Sequence, residues 1–316
     1  MKLRYLLAVV LLAACAPEPP AVGELPELPV VVYAAYRDKA YLPELFKEFT
    51  RDTGWPVVVR NGTAAGIVDD VLQDRVVPPA DVLLTPSVSG VWRAAEEGQL
   101  RPNYSPVIAD VLSWLRDPDD FWVALSYRNA VIVYSGEQFS ASDLVTYEIL
   151  AEPKFRRKLC LTTSGLSINR AVLAMMLQKL GARETELVVR SWVANLALPP
   201  FASEEELLHA LVSGQCLVAI VSSDVAETMP DSKLKVHTPI DFYSDIEGLG
   251  ITRHARNPEG AAVLVEWLLD EDVQRRHAER LSSFAATGAL QGRHNINAVA
   301  SGEEEARLLA ERARYY

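Results

Sequence analysis

Three polar residues follow an apolar run in CLVAIVSSDVAETM, residues 216–229. Leu217–Val221 reads as a buried strand, and Ser222, Ser223 and Asp224 stand at its carboxyl end. Open α/β sheets bind their ligands outside such strand ends. A second polar turn, TTSGLSINRA (162–171), joins a strand to a helix. Free N–H groups and the dipole at a helix start favour an anion. Ser164, Gly165, Ser167 and Asn169 add neutral donors there, although Ser167 serves equally well as a plain N-cap. Arg128, in SYRNA, suits bidentate recognition of carboxylate or phosphate, or a salt bridge within the protein. Thr85 and Ser87 follow the run ADVLLT, with a helix cap as the alternative for Ser87. AYRDKAY contributes Tyr36, Arg37 and Asp38, and Arg37 has the same two readings as Arg128. Tyr36 and Tyr127 offer ring faces or hydroxyl donors, or pack at strand ends. Together these residues describe a cleft rich in hydroxyls and arginine and poor in carboxylate. Such a cleft suits an anionic or polyhydroxylated solute.

The elements that must position these residues alternate. LPVVVYAAY (28–36), WPVVVRN and ADVLLT (80–85) read as strands. Each precedes a helix: AYLPELFKEFTRDTG, AAGIVDDVLQDR and VSGVWRAAEEGQL. That order predicts an α/β fold with a mostly parallel sheet flanked by helices. WVALSYRNAVIVYS (122–135) is long for a strand and suits a hinge between two lobes. A second set follows: the strand RRKLCLTT, three helices from SINRAVLAMMLQKLG to SEEELLHALVSG, and the strand 217–221. EGLGITRHARN (247–257) reads as a return strand, with helix beyond it and a charged terminal helix from Gly302.

The chain has 316 residues, room for two lobes with their own cores. Its net charge of −11 argues against a nucleic-acid partner, which would call for a basic face. MKLRYLLAVVLLAAC has two basic residues and then an apolar run too short to cross a bilayer, the shape of a secretory signal. LAAC (12–15) resembles the bacterial lipobox, which implies lipidation at Cys15. The Pro- and Glu-rich residues 16–28 suit an extended tether. Export places Cys160 and Cys216 in an oxidising compartment, where pairing is the default. The loop they close is worth on the order of 4 kcal/mol. The five histidines, at 209, 237, 254, 277 and 294, read as helix, surface or C-terminal positions. With no G-x-S-x-G turn and no His–carboxylate cluster at metal spacing, catalysis is not expected.

The order of these pieces resembles the substrate-binding proteins of iron(III)-type bacterial ABC transporters, the ferric-binding protein family. The matching stretches include VVVYAAYRDKAYLPELFKEFTRDTG, PADVLLTPSVSGVWRAAEEGQL, LRDPDDFWVALSYRNAVIVYS, TYEILAEPKFRRKLCLTTS, GQCLVAIVSS and GLGITRHARNPEGAAVLVEWLL, and they cover most of residues 30–270. The resemblance implies a two-lobed periplasmic binding fold of type II, closing on a solute and handing it to a permease. It places lobe 1 at 29–125 and 240–286 and lobe 2 at 126–239 and 287–316, after a signal peptide at 1–15 and the tether at 16–28. The implied protein is a monomer on the periplasmic side of a membrane, lipid-anchored and without a resident cofactor. Its transported ligand is Fe³⁺ or an anion.

The chain departs from the family in the iron ligands. Fe³⁺ is a hard cation that prefers anionic oxygen. The resemblance implies an adjacent tyrosine pair after the strand at 216–221, where this chain has Ser222 and Ser223. Another subset has a tyrosine just before the helix near Arg170, where Ile168 and Asn169 stand here, and NGTAAG supplies no acid. Tyr36 and Asp38 cannot complete six-coordination alone. The expected ligand is therefore an anionic or chelated species rather than bare Fe³⁺. A ferric site of atypical make-up, or a sensory or scaffold lipoprotein on the same fold, is the alternative.

Overall fold

The computed structural model describes residues 28–35, 40–73, 78–230, 233–281, 283–286 and 296–316. Tyr36, Arg37, Asp38 and Cys15 lie outside the described residues.

The first half alternates strand and helix: β1 (Val30–Ala34), α1 (Tyr41–Thr53), β2 (Val57–Asn61), α2 (Ala64–Leu72), β3 (Val82–Thr85), α3 (Val88–Glu96), β4 (Leu100–Arg101) and α4 (Pro106–Asp110). Helix α1 shows why. Leu42, Leu45, Phe46 and Phe49 recur at helical spacing and are all buried, so one face packs on the sheet. Gly54, with φ of 81°, ends the helix in the left-handed conformation and returns its N–H to the Thr50 carbonyl.

Strand β5 (Val123–Ser135) leads into the second half. There follow β6 (Leu159–Cys160), α5 (Ser167–Leu180), α6 (Ala182–Asn195), α7 (Glu204–Val212), β7 (Val218–Ser222), α8 (Ser223–Glu227) and β8 (Leu234–His237). The chain then returns through β9 (Ser244–Thr252), α9 (Pro258–Leu268), α10 (Glu271–Leu281), β10 (Phe284–Ala285) and α11 (Ile296–Arg312).

The strands run in the order β2-β1-β3-β9-β5-β7-β6. The expectation of mostly parallel sheets needs correcting at the centre. Parallel ladders join β1 to β2, β1 to β3, and β6 to β7. The middle strands are antiparallel: β9 to β3, β5 to β9, and β5 to β7. The cause is connectivity, because a chain that leaves one lobe along β5 and comes back along β9 must lay those strands in opposite directions. β5 is long because it serves both ladders. Val123–Asn129 face β9, and Ala130–Tyr134 face β7.

The cores divide at the same place. One apolar cluster gathers Val30–Ala34, the α1 face, Val82–Leu84, Val123–Leu125 and the α9 face. Two others lie beyond Asn129, one under α5 and α6 around Trp192 and Tyr147, the other under α7. Cys160 and Cys216 are disulfide-bonded within the third cluster, tying β6 to the start of β7 across 56 positions. Among the described residues no helix is long and apolar enough to cross a membrane.

Candidate functional site

A cavity of about 780 Å³ opens between the two halves. Its walls come from strand ends and helix starts. β3 and the start of α3 bring Thr85, Ser87, Ser89 and Gly90, and the turn into α5 brings Gly165–Ile168. β5 and β9 form the floor through Ser126, Tyr127, Arg128, Asp245 and Glu247.

Strand pairing builds that floor. Ser126 stands opposite Glu247, and Arg128 opposite Asp245. Residues two apart on a strand share a face, so Asp245 and Glu247 both turn toward Ser126 and Arg128. Ser126 Oγ donates to Glu247 Oε2 at 2.7 Å. Arg128 donates to Asp245 Oδ2 from Nη2 at 2.9 Å and from Nε at 3.3 Å. Ser167 Oγ, at the start of α5, donates to the same oxygen at 2.7 Å. Asp224 approaches the guanidinium from α8, with Oδ2 3.5 Å from Nη1. Asp245, Asp224 and Glu204 together raise the already high pKa of Arg128, against the opposing effect of burial.

The floor continues into a buried relay. His277 Nε2 lies 2.7 Å from Glu247 Oε2, and His277 Nδ1 lies 2.7 Å from the Tyr41 hydroxyl. Burial pushes the Tyr41 phenol up, so it stays protonated. His277 falls on a helix, as its sequence position implied, yet it is fully buried beside the cavity wall.

On the opposite wall, Ser87 Oγ donates to Glu303 Oε1 at 3.2 Å, and Ser89 Oγ donates to Ser87 Oγ. Arg170 Nε stands 3.5 Å from Glu303 Oε2. Burial raises the Glu303 carboxyl to about 7, with Arg170 acting against the shift. At the mouth, Arg307 pairs with Glu304 and Glu311.

The residues singled out from the sequence therefore divide. Thr85, Ser87, Tyr127, Arg128, Gly165 and Ser167 line the cavity. Ser164, Asn169, Ser222 and Ser223 are not among its lining residues. The Asn169 amide donates to Thr162 Oγ1 and to the Thr162 and Thr163 carbonyls, which fixes the turn before α5. Ser222 gives its N–H and hydroxyl to the two oxygens of Glu204, at 2.6 and 2.9 Å. Ser223 Oγ accepts the Asn129 N–H at 3.1 Å. Thr85 Oγ1 donates to the Ser87 carbonyl at 2.8 Å. Ser167 is not an N-cap; that position is Leu166. Arg128 lines the cavity and forms the salt bridge as well.

The expected scarcity of carboxylate is overturned. Glu204, Asp224, Asp245, Glu247, Glu303 and Glu304 line the cavity, against Arg93, Arg128, Arg170 and Arg307. The hydroxyls of Ser87, Ser126, Ser167 and Ser222 are donated to these acids. The missed signal was charge within apolar strand sequence: Asp245 and Glu247 alternate with Ile246 in SDIEGLGIT. Glu303 sits in a charged terminal helix, which gave no sign that one acid turns inward.

A two-lobed α/β molecule with a polar cleft between its halves is the architecture of a solute-binding protein. The family model described as bacterial extracellular solute-binding protein matches residues 30–279, and the chain belongs to that family. Iron uptake protein A1 of Synechocystis sp. is 28% identical over 246 residues, covering 73% of this chain and 68% of its own. A Salmonella typhi relative named "Putative 2-aminoethylphosphonate-binding periplasmic protein" is 22% identical over 251 residues, covering 77% of this chain and 73% of its own. The solved structure of a Trichodesmium protein in complex with iron and citrate ligands matches the fold with a TM-score of 0.81. It is 23% identical and covers 90% of this chain and 99% of that one. The family is made of solute-binding transport proteins, not enzymes.

Proposed function

We propose that the protein is the extracytoplasmic, lipid-anchored solute receptor of an ABC importer. It captures a small organic or chelated solute in the interlobe cleft and delivers it to a permease. The observation that carries the ligand reading is the make-up of the cavity. At about 780 Å³ it matches the size of sites for small organic molecules, and it is many times larger than a bare ion needs. Among the described lining residues Tyr127 is the one phenol. Burial raises its pKa, which opposes the phenolate that a hard ferric ion prefers. Ser222 and Ser223 bond to the protein itself. The relatives are named for iron and for an aminophosphonate, so membership in the family leaves the ligand open.

Titration of the purified protein with ferric iron, alone and with citrate, tests the reading. Visible absorption and melting temperature are followed together. The expected outcome is no tyrosinate charge-transfer band and no stabilisation from iron alone. A strong visible band at one equivalent of iron without chelator would sink the reading.

A further inference from the structure

We propose that the floor of the cleft is a subsite for a protonated amine, where a solute seats its ammonium group against Asp224, with the buried charge of Asp245 behind it. The inference rests on the cleft being the site of solute capture.

The observation behind it is a contrast between acids. Where a buried carboxylate serves the fold, this chain supplies it with donors. Asp81 Oδ2 accepts the Val31 N–H at 2.8 Å, and its Oδ1 accepts those of Arg256 and Asn257 at 2.6 and 2.9 Å. Glu204 takes the N–H and hydroxyl of Ser222. The two floor aspartates differ. Asp245 is 1% exposed, and its Oδ2 takes Arg128 and Ser167, while its Oδ1 meets no donor among the described residues. Asp224 Oδ1 is also buried without a donor. An ionised carboxylate has about four acceptor sites, and leaving it buried and under-paired is unfavourable.

Charge makes the same case. Two aspartates face one guanidinium, a surplus of one negative charge before Glu204 is counted. A cation entering from the cavity offsets that surplus. It reaches Asp224 first, whose side chain is 19% exposed, with Asp245 behind it. An ammonium group fits because it is compact and carries three donors. A metal ion fits less well. Among the described residues no three His, Cys, Asp or Glu side chains stand together to hold one, and the Arg128 guanidinium within the cluster repels a multivalent cation. The rest of the cavity has room for the body of the solute.

The test uses the intact exported protein and probe pairs in which the amine is removed or, for the diol, each amine is replaced by a hydroxyl. These are 4-aminobutyrate with butyrate, 2-aminoethylphosphonate with ethylphosphonate, and putrescine with butane-1,4-diol. Ferric citrate and inorganic phosphate complete the panel. Calorimetry should show at least one amine binding roughly tenfold or more tightly than its partner, the worth of one charge-assisted hydrogen bond. Asp224→Asn should erase that preference, and Glu137→Gln, an exposed acid just past β5, should keep it. Asp245→Asn is the second variant, read after circular dichroism has shown it folded. Equal binding within every pair, or a preference that both aspartate variants retain, overturns the subsite. If ferric citrate or phosphate binds while no amine does, the subsite falls and solute capture stands. If nothing in the panel binds, the amine subsite is rejected as well, and a further lack of any binding to ferric iron counts against solute capture itself.

Discussion

Glu303 occupies a position that an anionic ligand would favour, beside the start of α3. It is 7% exposed, held by Ser87 and paired loosely with Arg170. Its pKa, about 7, lies above the ordinary 4.5 because burial disfavours the charged form. The folded protein therefore keeps a proton that the unfolded chain releases above pH 4.5. Stability from this group is complete below pH 4.5 and is lost as pH rises through about 7. Glu303→Gln removes that dependence. Relative to wild type it should gain up to about 3 kcal/mol at pH 8 and almost nothing at pH 4.5, the lost Arg170 pairing reducing the gain. Urea unfolding at the two pH values measures it, and an equal effect at both would show that burial does not raise the Glu303 pKa. Such a role was hard to read from GEEEARLLAERARYY, where three consecutive glutamates look alike. Arg128 was legible because an arginine within an apolar strand needs a partner. Ser222 and Ser223 were legible as a strand end but not in direction. Their hydroxyls turn to Glu204 and to the Asn129 backbone, contacts set by α7 and β5, which lie far from them in sequence.

At the scale of elements, hydrophobic periodicity gave away most helices and the long hinge strand. It could not give the direction of strand pairing, since a buried strand reads the same in either orientation. β9 is the instructive case. Gly248 and Gly250 interrupt it, and its acids point into the cleft. Gly248 faces Thr85 on β3 and Ala124 on β5, and α3 lies directly over it. A Cβ added there would stand 2.5 Å from Val91 Cγ2 and 3.6 Å from the Val88 Cα. The absent side chain thus lets α3 sit down on the sheet and hold Ser87, Ser89 and Gly90 at the cavity wall. Gly248→Ala should cost about 1–3 kcal/mol, the usual range for overpacking a filled core. It should also weaken solute binding through displacement of α3. Denaturant midpoints together with calorimetry read both effects. A loss below about 0.5 kcal/mol would mean that Val91 moves aside freely and that this contact does not set the wall.

For the whole molecule the telling element is α11, which belongs to both halves. Ile296 and Ala300 pack into the first lobe's core, while Val299, Ala306, Leu309 and Ala310 pack into the second. Past the helix, the Tyr315 hydroxyl donates to the Thr162 carbonyl at 2.7 Å, beside the turn that leads into α5. The helix is thus fastened to the second lobe along its length and to the first by Ile296, Ala300 and the bond from Ser87 to Glu303. Any hinge motion at Asn129–Ala130, where β5 changes partners, must work against those contacts. Ile296→Asp places a charge in the first lobe's core, away from the cavity lining, and weakens the tie while leaving the second-lobe contacts intact. The free protein should then open further, raising the radius of gyration by roughly 1 Å above the roughly 19 Å of a compact chain this size. Because a smaller fraction would be closed, the apparent affinity for solute should fall in proportion to that fraction. X-ray scattering with and without solute measures both states. If the variant scatters like wild type when free but still binds weakly, α11 acts through the cavity wall it lines and does not govern opening. If scattering and affinity both stay unchanged, the first-lobe contact of α11 is incidental to closure.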